Sequence, residues 1–279
     1  MILENTIKQA SQLLKSKNIN SHELDAEIIL SDIMGVTREF LLTNNNIFVS
    51  QKTLRQYNDA IERRVKKEPV AYIIGKKEFW SQDFLVNQAT LIPRPETELL
   101  IYKVVNFFKD KEINILDIGT GSGCILLSIL KELKNSRGQG IDISAKAIQT
   151  AITNSKKLNL SYRSKFKVFD INKFYIGRYD LIVSNPPYIS LSEMKNLSKS
   201  ITNYEPLIAL NGGANGLDFI KKVIYKSTSL LTKNGLLAVE IGNNQYRKVS
   251  SLLRQHGFRE MFKEFDYNRN VRCIISTKV

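Results

Sequence analysis

From residue 113 to residue 277 the chain alternates short apolar runs with helix-length segments, and no other feature restricts its fold as much. Apolar runs at 113–118, 138–143, 166–170, 179–184 and 235–241 read as strands. Segments with apolar residues at helical spacing follow at 124–133, 145–158, 217–231 and 246–256. Strands joined through helices predict a parallel sheet covered on both faces. Two last strands, 258–265 and 271–277, follow one another with no helix between. They predict a seven-stranded, mostly parallel sheet with an antiparallel member at the edge.

The first 68 residues have a different period. Ile2, Leu3, Ile7, Ala10, Leu13 and Leu14 recur at helical spacing, as do Leu24, Ala26, Ile28 to Leu30 and Ile33. Ser21 and Ser50 suit N-caps, and Gly35 suits the stop of the second helix. Asn44-Asn45-Asn46 reads as a loop, followed by a third long helix to about Lys67 that Pro69 ends. Glu78-Phe79-Trp80 and Phe84-Leu85-Val86, separated by Ser81-Gln82-Asp83, predict a short hairpin. The expected layout is a helical domain over 1–74, a hairpin linker over 75–91 and an α/β domain over 92–279.

Composition works by exclusion. With 43% hydrophobic and 24% charged residues, the chain can bury a full core. No apolar run reaches the ~18 residues of a membrane span, so no membrane association is expected. The segment from Met1 to Lys8 carries an early acid and no apolar stretch of the signal-peptide kind. Cys124, Cys273, His22 and His256 are isolated from one another, so neither a disulfide framework nor a metal site is expected. A reducing, cytoplasmic compartment follows. The net charge of +14 fits an acidic partner such as nucleic acid or the ribosome. Lysines spread along the whole chain fit a merely solvated surface equally well, so charge leaves ribosome or RNA contact open without requiring nucleic acid.

Two motifs carry chemistry. The first is Leu116-Asp117-Ile118-Gly119-Thr120-Gly121-Ser122-Gly123, running from the first strand of the alternating region into a helix. Its glycines allow a tight turn and close approach of a ligand, and the helix start offers free N–H groups to an anion. Asp142 ends the next strand, where a carboxylate can accept hydrogen bonds from ribose hydroxyls. A dinucleotide fingerprint needs glycine at 124, where this chain has Cys124. The Gly119, Gly121, Gly123 spacing suits S-adenosylmethionine instead, its carboxylate at the helix start.

The second motif is Asn185-Pro186-Pro187-Tyr188, directly after the fourth strand. The nitrogen of an amide or a base is a weak nucleophile, because its lone pair is delocalised into the adjacent π system. Acceptors that bind the NH₂ group turn that lone pair out of conjugation. The Asn185 side-chain oxygen and the Pro186 carbonyl can be those acceptors. The prolines stiffen the turn and remove competing donors. Tyr188 offers a flat face to a planar group.

A glycine loop followed by Asn-Pro-Pro-Tyr after the fourth strand resembles N-methyltransferases acting on amino groups conjugated to a π system. That group includes DNA, ribosomal RNA and protein-glutamine enzymes. Other segments narrow it: Leu24-Asp25-Ala26-Glu27, Glu68-Pro69-Val70-Ala71-Tyr72-Ile73-Ile74-Gly75, Leu91-Ile92-Pro93-Arg94-Pro95-Glu96-Thr97-Glu98, and Tyr204-Glu205-Pro206 with Asn211-Gly212-Gly213 beyond it. Together they resemble the release factor glutamine methyltransferase family (HemK/PrmC) over nearly the whole chain.

The resemblance implies a Rossmann-like class I methyltransferase domain behind a helical substrate-recognition domain. It implies S-adenosylmethionine as methyl donor, without a metal. The implied reaction is N5-methylation of the glutamine in the Gly-Gly-Gln motif of class I peptide chain release factors. The alternative is an exocyclic amino group of RNA or DNA. A non-catalytic RNA-binding role is disfavoured by two intact motifs. Gly119, Thr120, Gly121, Ser122, Gly123, Asp142, Ile171 and Asn185 are the implied cofactor residues. Asn185, Pro186, Pro187 and Tyr188 are implied to hold the glutamine, with Asn185 and Pro186 catalytic. Ile171 stands where the family often has an aromatic, and Ser81 where it favours glycine. Arg94, Glu96 and Thr97 are expected either near the cofactor or as caps of the following helix. Glu240 is expected to be structural.

Overall fold

A computed structural model describes residues 1–278; Val279, the last residue of the expected α/β domain, lies outside the described residues. The chain separates into two compact units, Met1–Lys76 with Ser198–Tyr204, and Lys77–Leu197 with Glu205–Val279. No helix among the described residues is long and apolar enough to cross a membrane.

The first unit is helical: α1 (Leu3–Ser16), α2 (His22–Met34), α3 (Arg38–Thr43), α4 (Gln51–Val65) and α5 (Val70–Ile74). Leu3, Ala10 and Leu14 of α1 meet Ala26, Ile29 and Leu30 of α2 and Tyr57, Ala60 and Ile61 of α4 in one buried cluster. Ser50 caps α4 by accepting from Thr53 N at 3.1 Å. Ser21 precedes α2 but makes no such bond. Its hydroxyl donates instead to Asp25 at 2.8 Å, and Asp25 pairs with Arg64 of α4 at 2.7 Å. Gly35 ends α2 in the left-handed conformation, as expected. The short helices α3 and α5 escape a periodicity reading. In α3 only Leu41 is buried, and α5 opens directly after Pro69, whose ring suits a helix start. Tyr204, beyond the expected helical domain, belongs to this unit and donates to the Lys66 carbonyl at 2.9 Å.

The hairpin β1 (Lys76–Phe79) and β2 (Gln82–Leu85) follows, and from Lys77 on it belongs to the second unit. Its turn is Trp80-Ser81, both at positive φ of 50° and 52°, rather than the expected Ser81-Gln82-Asp83. Two left-handed residues match the right-handed twist of paired strands. The segment 75–91 is not a free-standing linker. Phe79 and Phe84 are buried in the core of this unit, their rings edge to face at 6.1 Å.

Then come α6 (Glu98–Phe107), β3 (Asn114–Ile118), α7 (Cys124–Glu132), β4 (Arg137–Asp142), α8 (Ala145–Lys157), β5 (Ser164–Val168) and β6 (Tyr179–Ser184). The short helix α9 (Leu191–Met194), then α10 (Lys199–Thr202) of the first unit, precede α11 (Asp218–Leu230), β7 (Leu231–Glu240), α12 (Tyr246–Gln255), β8 (Phe258–Phe265) and β9 (Val271–Lys278). The seven-stranded sheet runs β5-β4-β3-β6-β7-β9-β8. Its first five strands are parallel, and β9 runs antiparallel to both β7 and β8. The closing pair therefore forms the antiparallel edge, with β9 inserted beside β7.

Alternate residues of the central strands feed opposite faces. Ile115, Leu181, Val183, Leu236 and Ala238 pack with residues of α6 and α7. Leu116, Ile118, Ile182, Leu237 and Val239 pack with residues of α11 and α12. Strand order reverses at β3, which pairs with both β4 and β6. The connections leaving these strands diverge there, and a crevice opens beyond their carboxyl ends.

Candidate active site

The loop from β3 to α7 is shaped from within by Asp117, which is fully buried. Its Oδ2 accepts from Thr120 Oγ1 at 2.6 Å. Burial pushes the carboxyl up to about 7, against the pull of the Thr120 bond. Gly121 and Gly123 hold φ of 55° and 80°, the left-handed region. A Cβ at Gly121 would find no protein atom within 4 Å, so that side of the loop is open. At Gly123 a Cβ would meet Ala151, Leu127 and Phe166, each at 3.2 Å. Gly121 thus faces space, whereas Gly123 is packed down on the helices.

Asp142, at the end of β4, is bound to that loop. Its Oδ2 accepts from Gly121 N at 3.0 Å and its Oδ1 from Ser144 N at 2.9 Å. Burial raises its pKa, and the backbone N–H bonds oppose the rise. Each oxygen keeps a second lone pair for a ligand hydroxyl.

Gly119, Thr120, Gly121, Ser122, Asp142, Ile171 and Asn185 all line one cavity of about 330 Å³. Gly123 does not line it. The cavity also has apolar walls that sequence reasoning missed, in Ile143, Phe169 and Phe219. Phe169 is 37% exposed, whereas Ile171 is only 6% exposed and belongs to the core with Phe174. The size suits a small organic ligand. Open space over Gly121, a carboxylate with spare lone pairs and a flat apolar wall together fit S-adenosylmethionine. Two buried polar atoms of the loop, Asp117 Oδ1 and Ser122 Oγ, have no hydrogen-bond partner among the described residues.

Asn185 and Pro187 line the same cavity. Asn185 Nδ2 donates to Thr97 Oγ1 at 3.2 Å, and Thr97 Oγ1 donates to Glu240 Oε2 at 2.6 Å. Thr97 occupies the N-cap position of α6 but makes no capping bond; its hydroxyl serves Glu240. Arg94 also lines the cavity and pairs with the buried Glu205 at 2.5 Å. Glu96 is exposed and is not part of the cavity wall.

Pro186 is buried, and no donor among the described residues reaches its carbonyl. Tyr188 does not line the cavity. Its hydroxyl donates to Glu240 Oε1 at 3.3 Å and accepts from Arg272 Nη2 at 3.1 Å. The Arg272 guanidinium also lies 5.5 Å from the centre of its ring. Burial, and then the Glu240 charge, push the Tyr188 phenol up to about 12. Burial raises the Glu240 pKa, while the Thr97 bond and Arg272 hold it back. Thr97 was singled out in the sequence with two roles open, and Glu240 only as structural. Arg272 carries no sequence signal at all.

Comparison with known proteins adds to this geometry. Residues 5–75 match the family model described as PrmC N-terminal domain, and residues 109–276 match one described as methyltransferase domain. A release factor glutamine methyltransferase of Buchnera aphidicola subsp. Baizongia pistaciae is 38% identical, over 100% of both chains. That of Clostridium acetobutylicum is 36% identical, over 100% of this chain and 99% of its own. Among solved structures, a methyltransferase from Pyrococcus furiosus shares the fold at a TM-score of 0.53 and 16% identity, over 80% of this chain and 98% of its own.

Proposed function

The chain belongs to the release factor glutamine methyltransferase family, and on that premise we propose that it methylates the glutamine side-chain nitrogen (N5) in the Gly-Gly-Gln motif of class I peptide chain release factors, with S-adenosylmethionine as donor. The observation that carries this reading is one cavity holding both the glycine loop with Asp142 and the side chain of Asn185. When bound, S-adenosylmethionine supplies a methyl group made electrophilic by its sulfonium. Residues Gly119 to Gly123 would hold the amino-acid end, Asp142 the ribose hydroxyls, and Phe169 and Ile171 the adenine.

The remaining chemistry belongs to the acceptor. Asn185 Oδ1 and the Pro186 carbonyl accept hydrogen bonds from the glutamine NH₂, which aims its lone pair at the donor and draws it out of amide conjugation. These bonds strengthen as the nitrogen gains positive character, so they act mostly on the transition state. The methylated nitrogen then sheds a proton to water, since a protonated amide is a strong acid. Pro187 keeps the turn rigid, and Tyr188 supports it from behind.

The nucleic-acid alternative is not favoured, because relatedness extends over the whole chain, including the N-terminal domain. Release factors place the reaction in the cytoplasm. The test is incubation with labelled S-adenosylmethionine and either purified class I release factors or ribosomal RNA, followed by mapping. One methyl group on the Gly-Gly-Gln glutamine is expected. Label on RNA, or on another protein residue, would overturn the proposal.

A further inference from the structure

Asn185 can serve as an acceptor only if its amide presents oxygen, not nitrogen, to the cavity. An amide is nearly symmetric in shape, so packing alone sets this orientation poorly. The hydrogen-bond polarity behind it sets it well. Arg272 can only donate, and an ionised carboxylate can only accept. Arg272 Nη2 donates to Tyr188 at 3.1 Å, which fixes the Tyr188 hydroxyl as donor to Glu240 Oε1. Arg272 also stands 3.7 Å from that same oxygen as countercharge. With Glu240 an acceptor, Thr97 must donate its single hydroxyl hydrogen to Oε2, at 2.6 Å. Thr97 then has only lone pairs left, and the group facing it at 3.2 Å must be the Asn185 NH₂. The bonds converge on Glu240 from both sides, and on the Thr97 side the last donor is the Asn185 NH₂, which leaves Oδ1 free.

We propose that Arg272, Glu240 and Thr97 form a hydrogen-bond relay, polarised by Glu240 as common acceptor, that locks the Asn185 amide with its oxygen towards the methyl acceptor, making all three positioning residues for the reaction. This deepens the functional reading above and rests on it. None of the three need touch the glutamine. Groups in this outer role typically change activity by about 10- to 100-fold when lost, through misorientation of the residue they hold.

Full-length enzyme carrying Thr97→Val, Thr97→Ser or Glu240→Gln would be assayed for methylation of a release factor, with S-adenosylhomocysteine affinity measured by calorimetry. Valine keeps the shape of threonine but neither accepts nor donates. Turnover should fall about 10- to 100-fold in Thr97→Val, with S-adenosylhomocysteine affinity within about threefold of wild type. Serine restores the hydroxyl and should restore turnover to within about threefold. Glu240→Gln can donate to Thr97 and reverse the row, so it should lose at least about tenfold. Equal losses in Thr97→Val and Thr97→Ser would overturn the relay, as would a Thr97→Val enzyme of nearly full turnover. A second arm needs no acceptor. In ¹⁵N-labelled protein the Asn185 NH₂ resonances, identified by their loss in Asn185→Asp, should shift and exchange faster in Thr97→Val but not in Thr97→Ser. Unchanged resonances would sink the relay. Wild-type enzyme inactive on release factors would sink the functional reading instead, leaving the relay to that resonance.

Discussion

The two walls of the cavity are put together in different ways. The wall proposed for the methyl donor is local and largely backbone: Asp117 and Thr120 are three residues apart, and Asp142 binds the N–H of Gly121, 21 residues away. The wall proposed for the methyl acceptor starts from the Asn185-Pro186 turn, but the side chains that hold Asn185 are assembled from afar. Asn185 and Thr97 are separated by 88 residues, Thr97 and Glu240 by 143, and Arg272 and Tyr188 by 84. A backbone wall is indifferent to most side-chain changes but sensitive to the shape of the loop. A side-chain wall is sensitive to the loss of single atoms. Substitutions in the first should therefore appear in donor affinity, and substitutions in the second in turnover.

The largest effect expected is that of Asn185→Ala. Removing one preorganised polar contact to a developing charge typically costs ~10²–10³ in rate. Donor affinity should stay within a few-fold, because Gly119 to Ser122 and Asp142 do not depend on Asn185. Steady-state kinetics with a release factor, beside calorimetry with S-adenosylhomocysteine, separates the two. A variant that keeps its turnover but loses donor affinity would erase the distinction between the walls.

Gly123→Ala should show the reverse pattern. The left-handed conformation costs a non-glycine residue about 1–2 kcal/mol. At Gly123 the added carbon also meets three neighbours at 3.2 Å, whereas at Gly121 it meets none within 4 Å. Gly123→Ala should thus lower the melting temperature more than Gly121→Ala and weaken donor binding about tenfold, as expected for ~1.4 kcal/mol of loop distortion. Turnover at saturating donor should hardly move. Equal melting temperatures for the two variants would mean that the loop adjusts freely, and the backbone wall would not be rigid.

The same division decides what could be read from the sequence. The glycine loop, Asp142 and the Asn185 motif are contiguous or sit at strand ends, so neighbours in the chain reveal their purpose. The sheet was legible because strand and helix differ in period. What periodicity cannot supply is which distant side chains meet. Arg272 reaches Glu240 because β9 inserts beside β7, pairing Cys273 with Glu240. The last two strands announce that they pair with each other, but not which of them lies beside β7. For Thr97 the sequence leaves a place near the cofactor and a helix cap equally open, and only the buried Glu240 reveals where its hydroxyl goes. The Trp80-Ser81 turn was missed because neither residue type announces a positive φ.

The smallest effect concerns the adenine. The family pattern puts an aromatic at the position of Ile171, but here that side chain is 6% exposed and packed in the core with Phe174. Phe169, two residues earlier, is 37% exposed and lines the same cavity. Its ring stands edge to face on Phe174, with centroids 5.2 Å apart and planes at 83°, which holds it in place. An aromatic contact of this kind is worth about 0.5–1.5 kcal/mol beyond area burial, or roughly two- to tenfold in affinity. Phe169→Leu should weaken S-adenosylhomocysteine binding by that factor and leave turnover at saturating donor unchanged. Ile171→Trp should not repair the loss, since a larger side chain in a packed core costs about 1–3 kcal/mol in strain. It should instead lower the melting temperature. Unaltered binding by Phe169→Leu, or tighter binding by Ile171→Trp without loss of stability, would make Ile171 rather than Phe169 the main contact of the adenine.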